Sequence, residues 1–344
     1  MASMRGRHNR IKYFFIETVK GLFEQGYGKS KYEAFQRSYN EDRTRRSNAI
    51  HSFSTLVSYE TTAAKFGDFL SEMGVKTERD FKKLSSDQVR EYLDKYFEKQ
   101  QQEGLAKKTL ERQISAINKL LGAIDSKFNG LFTPENRMQW RNGLEPGDND
   151  RYNNPTRVAE ELRKINEISH AVCQLQRLTG SRIGDVKKIR IDEENQRILI
   201  ERSKGGRNRF VYYDKFQREF EEVKKYKEVL DKALQERPFS EIRKQYYHDL
   251  RKACKRAGEP YKGSHSFRFE WAQERYDKIS QWSKEEQIIY YYRILKDREK
   301  TEKEIMEAME RVAGKDAWGE AIVSEELGHS RLDISRHYLR IKAK

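Results

Sequence analysis

Hydrophobic residues in the first half of the chain recur every three or four positions, which is the period of an amphipathic helix. One predicted face consists of Tyr59, Ala63, Phe66 and Leu70. A second predicted face consists of Val89, Leu93, Tyr96 and Phe97. This second helix also has a start signal, because Ser85 stands three residues before Gln88, the spacing of a capping box. The pattern therefore predicts a helical N-terminal half.

The segment KKTLERQISAINKLLGAI has two stripes at helical spacing. Its apolar stripe is Leu110, Ile114, Ile117, Leu121 and Ile124. Its polar stripe is Lys108, Arg112, Ser115 and Lys119. Such a helix packs by one side and can offer phosphate contacts on the other. We predict DNA contacts from Lys107, Lys108, Arg112 and Lys119, with an ordinary solvated helix face as the alternative.

A stretch rich in Gly, Pro, Asn and Asp, RNGLEPGDNDRYNNPTR at 141–157, is the best candidate for a domain boundary. It predicts a basic helical extension at 1–46 and a helical domain at 47–145. A linker at 146–156 then leads to a second domain at 157–344.

The pattern changes beyond this linker. A helix through about residue 178 is followed by short runs of β-type residues near 188–191, 197–202 and 209–213. The turn-rich sequences DEENQ and SKGGRN separate these runs, which predicts a small three-stranded antiparallel sheet. Further helices are predicted at about 214–235, 240–257, 267–281, 284–312 and 319–343. The predicted fold class is mainly α with a small antiparallel β-sheet.

The charge of the chain indicates a class of partner. The 344 residues have a formal net charge of +15 and are 12% aromatic. Basic surfaces bind nucleic acid because Lys and Arg displace the counterions of phosphates, although basicity for solubility alone is the alternative. Two distant cysteines favour a reducing cytosol over a disulfide framework or a zinc site. Because no membrane span or secretory signal is evident, we expect a cytoplasmic protein.

Four segments of the second half contain basic, histidine and tyrosine side chains of kinds that suit phosphodiester chemistry. The segments are TGSRIGDV (179–186), ERSKGGRNR (201–209), KGSHSFRFEWA (262–272) and EELGHSRLDISRHY (325–338). The side chains are those of Arg182, Lys204, His265, Arg268, His329 and Tyr338.

In this order the motifs closely resemble the tyrosine recombinase (phage integrase) family. That family has an Arg in a TGxR motif, a Lys in a β-hairpin, His-x-x-Arg, Leu-Gly-His, and a Tyr shortly afterwards. The resemblance covers roughly 50–344 and implies a SAM-like, helical core-binding domain and a mixed α/β catalytic domain that clamp double-stranded DNA.

The resemblance also implies an activity and its partners. We expect site-specific strand exchange on a mobile element, through a Holliday junction, by a homotetramer on paired sites in the prokaryotic cytosol or nucleoid. No cofactor or metal is expected, and accessory proteins are a further class of partner that such systems admit.

The residue types fit this chemistry independently of the resemblance. Cleavage of a phosphodiester concentrates negative charge on its nonbridging oxygens. Arg182 and Arg268 can donate paired hydrogen bonds to these oxygens and remain charged at any working pH. His265 and His329 can add donors or accept the proton of the nucleophile.

The remaining residues complete the predicted site. Lys204, on a hairpin, can protonate the departing 5′-oxygen, and the phenol of Tyr338 can form a covalent phosphotyrosine. Asp185 is expected to hold the active-site arginine or the local backbone in place. Arg207 and Arg209, on the same hairpin as Lys204, are predicted DNA contacts.

Other interpretations remain open. A second His-x-x-Arg, His248 and Arg251, lies inside a charged helix with no turn before it, which favours a solvated helix face. A type IB topoisomerase or telomere resolvase would share the chemistry. A metal-dependent nuclease could use Asp192, Glu193 and Glu194, although this triplet also suits a polar turn. A non-catalytic DNA-binding protein is the third alternative.

The chain departs from the family pattern in two places. The interval from Arg268 to His329 is unusually long, which predicts a helical insertion at about 283–320. Few residues follow Tyr338, whereas many members continue into a helix that docks on a neighbouring subunit. Within it, Ile305, Met309 and Val312 form an apolar line on an otherwise charged helix, and we predict that the insertion supplies part of the subunit contact. The alternative is a helix that caps its own domain. Whether Tyr338 acts in its own site or a neighbour's is left open.

Overall fold

The computed structural model describes residues 10–42, 47–144, 151–203, 208–329, 332 and 338–339. The chain divides into two compact units, Met1–Asp148 and Asn149–Lys344. No helix in the described ranges is both long enough and apolar enough to cross a membrane.

The first unit is helical throughout its described elements. Its helices are α1 (Arg10–Gly26), α2 (Lys31–Asp42), α3 (Phe53–Glu72), α4 (Glu78–Lys82), α5 (Ser86–Gln102), α6 (Lys107–Ile124) and α7 (Pro134–Gln139). A 3₁₀ turn at Ser126–Leu131 joins the last two. The predicted capping box forms at the start of α5, where Ser85 and Gln88 satisfy each other's backbone N–H groups.

Helix α1, which was predicted to lie in an extension, contributes to the core of the first unit. Its Phe15 side chain is fully buried and stacks on Phe66 of α3, with a ring-centroid distance of 5.7 Å. A Cβ atom at Gly67 would lie 2.7 Å from the Cα of Lys12, so the glycine allows the two helices to approach closely. The apolar face of α1 is therefore covered by its own unit.

The second unit combines helices with one small sheet. Its helices are α8 (Pro155–Ile165), α9 (Glu167–Thr179), α10 (Gln217–Glu236), α11 (Phe239–Ala257), α12 (His265–Ile279), α13 (Lys284–Asp297), α14 (Glu302–Ala313) and α15 (Trp318–Glu326). The strands are β1 (Ile189–Asp192), β2 (Arg197–Ile200) and β3 (Arg209–Tyr212).

The strands form an antiparallel sheet in the order β1-β2-β3. Ile189 faces Ile200 on one side of β2, and Ile198 faces Val211 on the other. These four side chains are buried, so one face of the sheet packs on the helices, as period-two alternation requires. The predicted fold class, mainly α with a small antiparallel sheet, is confirmed.

The predicted insertion packs into the core of its own unit. It forms two helices, α13 and α14, rather than the single long helix that the pattern predicted, and Glu299 between them has a positive φ of 54°. Ile305 and Val312 of the apolar line are 5% and 2% exposed, and Met309 packs against the same core. The line is thus covered by its own unit, as in the alternative of a helix that caps its own domain. The contact of the insertion with a second subunit stays a prediction.

The isoleucines of α13 provide a test of this packing. We expect Ile294→Ala to lower the free energy of unfolding of the second unit by about 2 to 5 kcal/mol, because Ile294 is fully buried and leaves a cavity. Ile289, on the same helix, is 67% exposed, and Ile289→Ala should cost less than about 0.5 kcal/mol. Urea denaturation measures both. Equal costs would show that α13 does not pack as described.

His170 of α9 makes stability depend on pH. Burial, followed by repulsion from Arg163, Arg177 and Lys225, lowers the pKa of His170 to about 4. Gln174 donates through Nε2 to Nε2 of His170 at 3.0 Å, a contact that requires the neutral ring to accept. The unfolded chain therefore takes up a proton near pH 6.5 that the folded chain resists, and stability is lost as the pH falls.

The contribution of His170 can be isolated with variants. Relative to His170→Gln, the wild-type protein should lose about 2 kcal/mol of unfolding free energy between pH 7 and pH 5. His248 is exposed on α11, and His248→Gln should follow the wild-type pH dependence. Denaturant titrations across this pH range measure the difference. Parallel curves for wild type and His170→Gln would contradict the assignment.

Candidate active site

Helix α9 ends in a way that places Arg182. Gly180 is its C-cap, in the left-handed region at φ 60°, and its N–H donates to the carbonyl of Gln176 at 3.0 Å. A Cβ atom at Gly180 would lie 2.3 Å from the Trp271 ring, so both the backbone angle and the close approach require glycine. The Thr-Gly-Ser-Arg sequence thus ends α9 and turns the chain so that Arg182 lies in the candidate site.

Asp185 acts on Arg182 through a third residue. The hydroxyl of Ser203 donates to Oδ2 of Asp185 at 2.7 Å, and Nη1 of Arg182 donates to the same hydroxyl at 3.2 Å. The direct distance from Nη1 to Oδ2 is 3.9 Å. Asp185 and Ser203 are 5% and 4% exposed, so this short chain of hydrogen bonds is shielded from water and orients the guanidinium.

His265 and Arg268 lie on the first turn of α12. Arg268 is fully buried, and its guanidinium donates to the carbonyl of Gly180 and, at 2.5 Å, to that of Leu327. Nη2 of Arg268 also lies 3.3 Å from Nε2 of His329. Burial, and then the charge of Arg182, lowers the pKa of Arg268 to about 10. At neutral pH the group is still a cation, held in a crowded positive environment.

His329 follows a second glycine helix stop. Gly328 is in the left-handed region at φ 75°, and its N–H donates to the carbonyl of Glu325 at 2.8 Å. The N–H of His329 donates to the carbonyl of Ser324 at 2.8 Å, which completes a Schellman-type end to α15. The hydroxyl of Ser324 also donates to the carbonyl of His329 at 2.7 Å. The Leu-Gly-His sequence therefore ends α15 and fixes the position of the His329 backbone.

Tyr338 lies in the site formed by its own chain. Its hydroxyl is 3.0 Å from Nε2 of His265, and the guanidinium of Arg268 lies over its ring, 5.5 Å from the centroid. The ring packs against Phe269 at 4.6 Å between centroids. Nη2 of Arg151 donates to the carbonyl of Tyr338 at 3.0 Å. With 7% of its surface exposed, Tyr338 is held by contacts on several sides.

A buried ion pair joins the two helices that carry these groups. Arg275 of α12 donates from Nη2 to Oε1 of Glu326 at 2.6 Å and from Nε to Oε2 at 2.9 Å. The hydroxyl of Tyr290 in α13 donates to Oε1 of Glu326 at 2.9 Å. Burial alone would lower the pKa of Arg275, but the Glu326 carboxylate raises it above its ordinary value. The inserted helix thus supports the same pair.

Residues 46–124 match the family model described as the phage integrase N-terminal SAM-like domain. The match falls in the first unit and does not depend on the motifs of the second. The first unit therefore contains a SAM-like domain of the phage integrase type. This match supports the predicted resemblance to the tyrosine recombinase family.

Two solved structures are similar to this chain over most of its length. One is the XerH site-specific recombinase bound to a palindromic difH substrate in a post-cleavage complex, with 16% identity and a TM-score of 0.48 over 95% of this chain and 90% of that chain. The other is the XerA recombinase, with 13% identity and a TM-score of 0.33 over 96% of this chain and 94% of that chain. The search of curated proteins gave no match.

The structure brings together five of the six predicted catalytic residues. They are Arg182, His265, Arg268, His329 and Tyr338. The sixth, Lys204, and the predicted DNA contact Arg207 lie outside the described residues. The other His-x-x-Arg pair, His248 and Arg251, is exposed on α11.

Two predicted DNA contacts have hydrogen-bond partners inside the protein. Arg209 is 0% exposed and donates to the carbonyl of Glu326, so the prediction that it is a surface DNA contact is wrong. It stands opposite the buried Ile200 in the sheet register, on the face that packs on the helices. Nζ of Lys119 donates to the carbonyls of Ser47 and Ala49 at 2.5 and 3.0 Å, which ties α6 to the segment before α3, and its contact with DNA stays a prediction.

The other basic residues of α6 keep their predicted role as a hypothesis. Lys108 and Arg112 are exposed, and Lys107 is half-buried. Asp192 of the alternative metal site accepts hydrogen bonds from Asn195 and Arg197 within its turn.

Several functional contacts had no sequence signal of their own. Ser203, which links Arg182 to Asp185, is marked only by its position directly before Lys204. The Arg275–Glu326 pair has no fixed spacing in the sequence. Arg275 lies about two turns after Arg268 on α12, and Glu326 directly precedes the Leu-Gly-His motif. Only these positions could have indicated the pair.

Removal of one member of the Arg275–Glu326 pair should destabilise the second unit strongly. We expect Glu326→Gln to lower the free energy of unfolding by about 3 to 5 kcal/mol, because Arg275 would keep its charge in a buried site. Lys278 of the same helix pairs with Glu219 at a half-exposed site, and Glu219→Gln should cost less than about 1 kcal/mol. Thermal or urea unfolding distinguishes the two. A loss in Glu326→Gln as small as that in Glu219→Gln would be inconsistent with a buried pair.

Proposed function

We propose that the protein is a site-specific DNA recombinase that cuts and rejoins DNA through a covalent 3′-phosphotyrosine. The observation that carries the proposal is the placement of the Tyr338 hydroxyl, 3.0 Å from Nε2 of His265 and beside the buried Arg268. A phenol, a proton acceptor and a guanidinium converge there, as attack on a phosphodiester requires.

Each bond change has a group suited to it. The oxygen of Tyr338 attacks phosphorus, and the P–O5′ bond breaks, which leaves a 3′-phosphotyrosine and a free 5′-hydroxyl. The phenolic proton passes to Nε2 of His265, and the 5′-oxygen takes a proton from Lys204. Rejoining is the reverse attack by a 5′-hydroxyl, which restores Tyr338. The phosphodiester bond energy is kept in the covalent link, so no nucleotide cofactor is needed.

The arginines supply the electrostatic part of catalysis. Burial, and then the charge of the nearby Arg182, lowers the pKa of Arg268, so the two guanidiniums lie close enough to repel each other. A scissile phosphate placed between them would relieve this repulsion and gain charge-assisted hydrogen bonds. The stabilisation grows as negative charge accumulates on the nonbridging oxygens in the transition state, which is the requirement for catalysis. His329, beside Arg268, is positioned to add a further donor.

The wider reaction follows from the same proposal. The net charge of +15 and the exposed Lys108 and Arg112 favour binding of double-stranded DNA by the first unit. XerH is bound to a palindromic difH substrate, and we extend binding of a specific DNA site to this chain. The clamp, the homotetramer on paired sites, the Holliday junction and accessory partners remain predictions from the family.

Capture of the covalent intermediate tests the proposal. The probe is a pool of nicked duplexes of random sequence, in which cleavage releases a short fragment and prevents rejoining. Adducts are isolated under denaturing conditions, and their DNA is sequenced to define the site. We expect wild-type protein to form adducts with and without EDTA, and Tyr338→Phe to form none, because it keeps the ring but lacks the nucleophile.

A second tyrosine provides the control for this experiment. Tyr292 is 44% exposed on α13, and Tyr292→Phe should form adducts at the wild-type rate. Adducts that persist in Tyr338→Phe would remove the assignment of the nucleophile. Cleavage that stops in EDTA would instead favour a metal-dependent nuclease.

A further inference from the structure

Arg209, the first residue of β3, lies beneath the candidate site with no exposed surface. Its Nε donates to the carbonyl of Glu326 at 2.7 Å, and its Nη2 donates to the same oxygen. Nη2 also lies 3.4 Å from the carbonyl of Thr179. One guanidinium therefore bridges the ends of α9 and α15, the two helices whose stops deliver Arg182 and His329.

Arg268 bridges the same two turns one residue further along. Its guanidinium donates to the carbonyls of Gly180 and Leu327. Two arginines from different elements thus connect residues 179–180 with residues 326–327. The oxygens that accept are C-terminal helix carbonyls, which have no partner inside their helices and carry the negative end of the helix dipole.

The burial of Arg209 is costly and is not explained by an ion pair. Burial, and then the charges of Arg268 and Arg182, holds the pKa of Arg209 well below its ordinary range. Within the described part of the chain, Nη1 of Arg209 is buried without a hydrogen-bond partner. An orphaned donor on a crowded cation destabilises the fold, so a purely structural residue at this place would serve better without charge.

The Arg209 side chain also packs directly on the turn that ends in His329. A Cβ atom at Gly328 would lie 2.8 Å from Cδ and 3.0 Å from Cγ of Arg209. In the sequence, Arg209 closes the hairpin segment that contains Lys204. Three segments that carry catalytic residues therefore meet at this one side chain.

We propose that Arg209 is a positioning residue for phosphodiester cleavage, which holds the His329 turn against the Arg182 turn with its planar fork of donors. The consequence for cleavage rests on the proposed function, whereas the placement of His329 does not. Lysine at this position would be a point charge without the fork and would not hold two carbonyls in the same geometry. A misplacement on the order of 1 Å in an active site can slow a reaction about 100-fold.

The first arm of the test measures placement without DNA. In histidine-labelled protein, the ring resonances of His329, assigned with His329→Gln, should shift in Arg209→Lys and in Arg209→Met, while those of His170 stay unchanged. The methionine variant keeps a long side chain and removes the buried charge, which makes it the second variant should the lysine variant fail to fold. Arg190, on β1 with 69% of its side chain exposed, provides the matched control Arg190→Lys.

The second arm measures single-turnover adduct formation on the selected nicked duplex, together with its Kd. We expect Arg209→Lys to bind DNA within about threefold of wild type and to form adducts about 100-fold more slowly. Arg190→Lys should match wild type in both measurements. Unshifted His329 resonances in the Arg209 variants, cleavage within threefold of wild type, or a loss that lies wholly in Kd would each overturn the proposal.

The two arms separate this inference from the proposed function. Shifted His329 resonances, together with wild-type protein that forms no adduct dependent on Tyr338, would uphold the positioning role and reject the recombinase chemistry. If wild-type protein forms Tyr338-dependent adducts and Arg209→Lys matches it in both arms, the recombinase chemistry is upheld and the positioning role of Arg209 is rejected.

Discussion

The buried ion pair between Arg275 and Glu326 is the contact on which the geometry of the site depends. It fastens α12, which begins with His265, to α15, which ends just before His329. A buried ion pair adds little net stability compared with apolar packing. It nevertheless restricts the geometry of both helices, because either charge buried without its partner would destabilise the fold strongly. Tyr290 completes the hydrogen bonds of Glu326 from the inserted helix. The insertion therefore contributes to the interior of the second unit.

Above this pair, the unit concentrates positive charge where a phosphate would bind. Arg182, Arg209 and Arg268 lie near one another, and burial, followed by the charges of the neighbouring arginines, lowers the pKa values of Arg209 and Arg268. The carbonyls at the ends of α9 and α15 offset part of this repulsion, because they are the negative ends of two helix dipoles. The same glycines that stop these helices thus provide both the turns that carry catalytic side chains and the acceptors that hold the arginines. The backbone at the ends of α9 and α15 therefore both shapes the site and offsets part of its positive charge.

The features that could be predicted from the sequence are those that depend on residues close together along the chain. Helical period, the Ser85 capping box and the alternation that predicts the sheet depend on neighbours within a few positions, and the structure contains all of them. The Thr-Gly-Ser-Arg and Leu-Gly-His motifs are also local, since Gly180 and Gly328 are each a helix stop with φ in the left-handed region. Their order along the chain was enough to indicate the family.

The surroundings of a side chain could not be predicted where its hydrogen-bond partner or packing partner lies far along the chain. Lys119 lies on the polar stripe of α6, and Arg209 was predicted to face DNA only because it is a cation on the hairpin. Each donates to backbone carbonyls of a segment dozens of residues away. The apolar line of α14 was correctly seen as apolar, but the surface that covers it belongs to its own unit. The hydrophobic period of a helix shows that its apolar face must be buried, but it does not show which surface buries that face.

The sequence by itself determined the helical character, the small sheet, the family and the chemical types in the site, because each rests on local spacing or on residue identity. Only the tertiary structure decided that the Tyr338 hydroxyl meets His265, that Ser203 relays Asp185 to Arg182, and that Arg209 and Arg268 bridge the same two turns. The physical reason is that hydrogen bonds and ion pairs act over a few ångströms. Folding alone brings groups separated by tens of residues within that range.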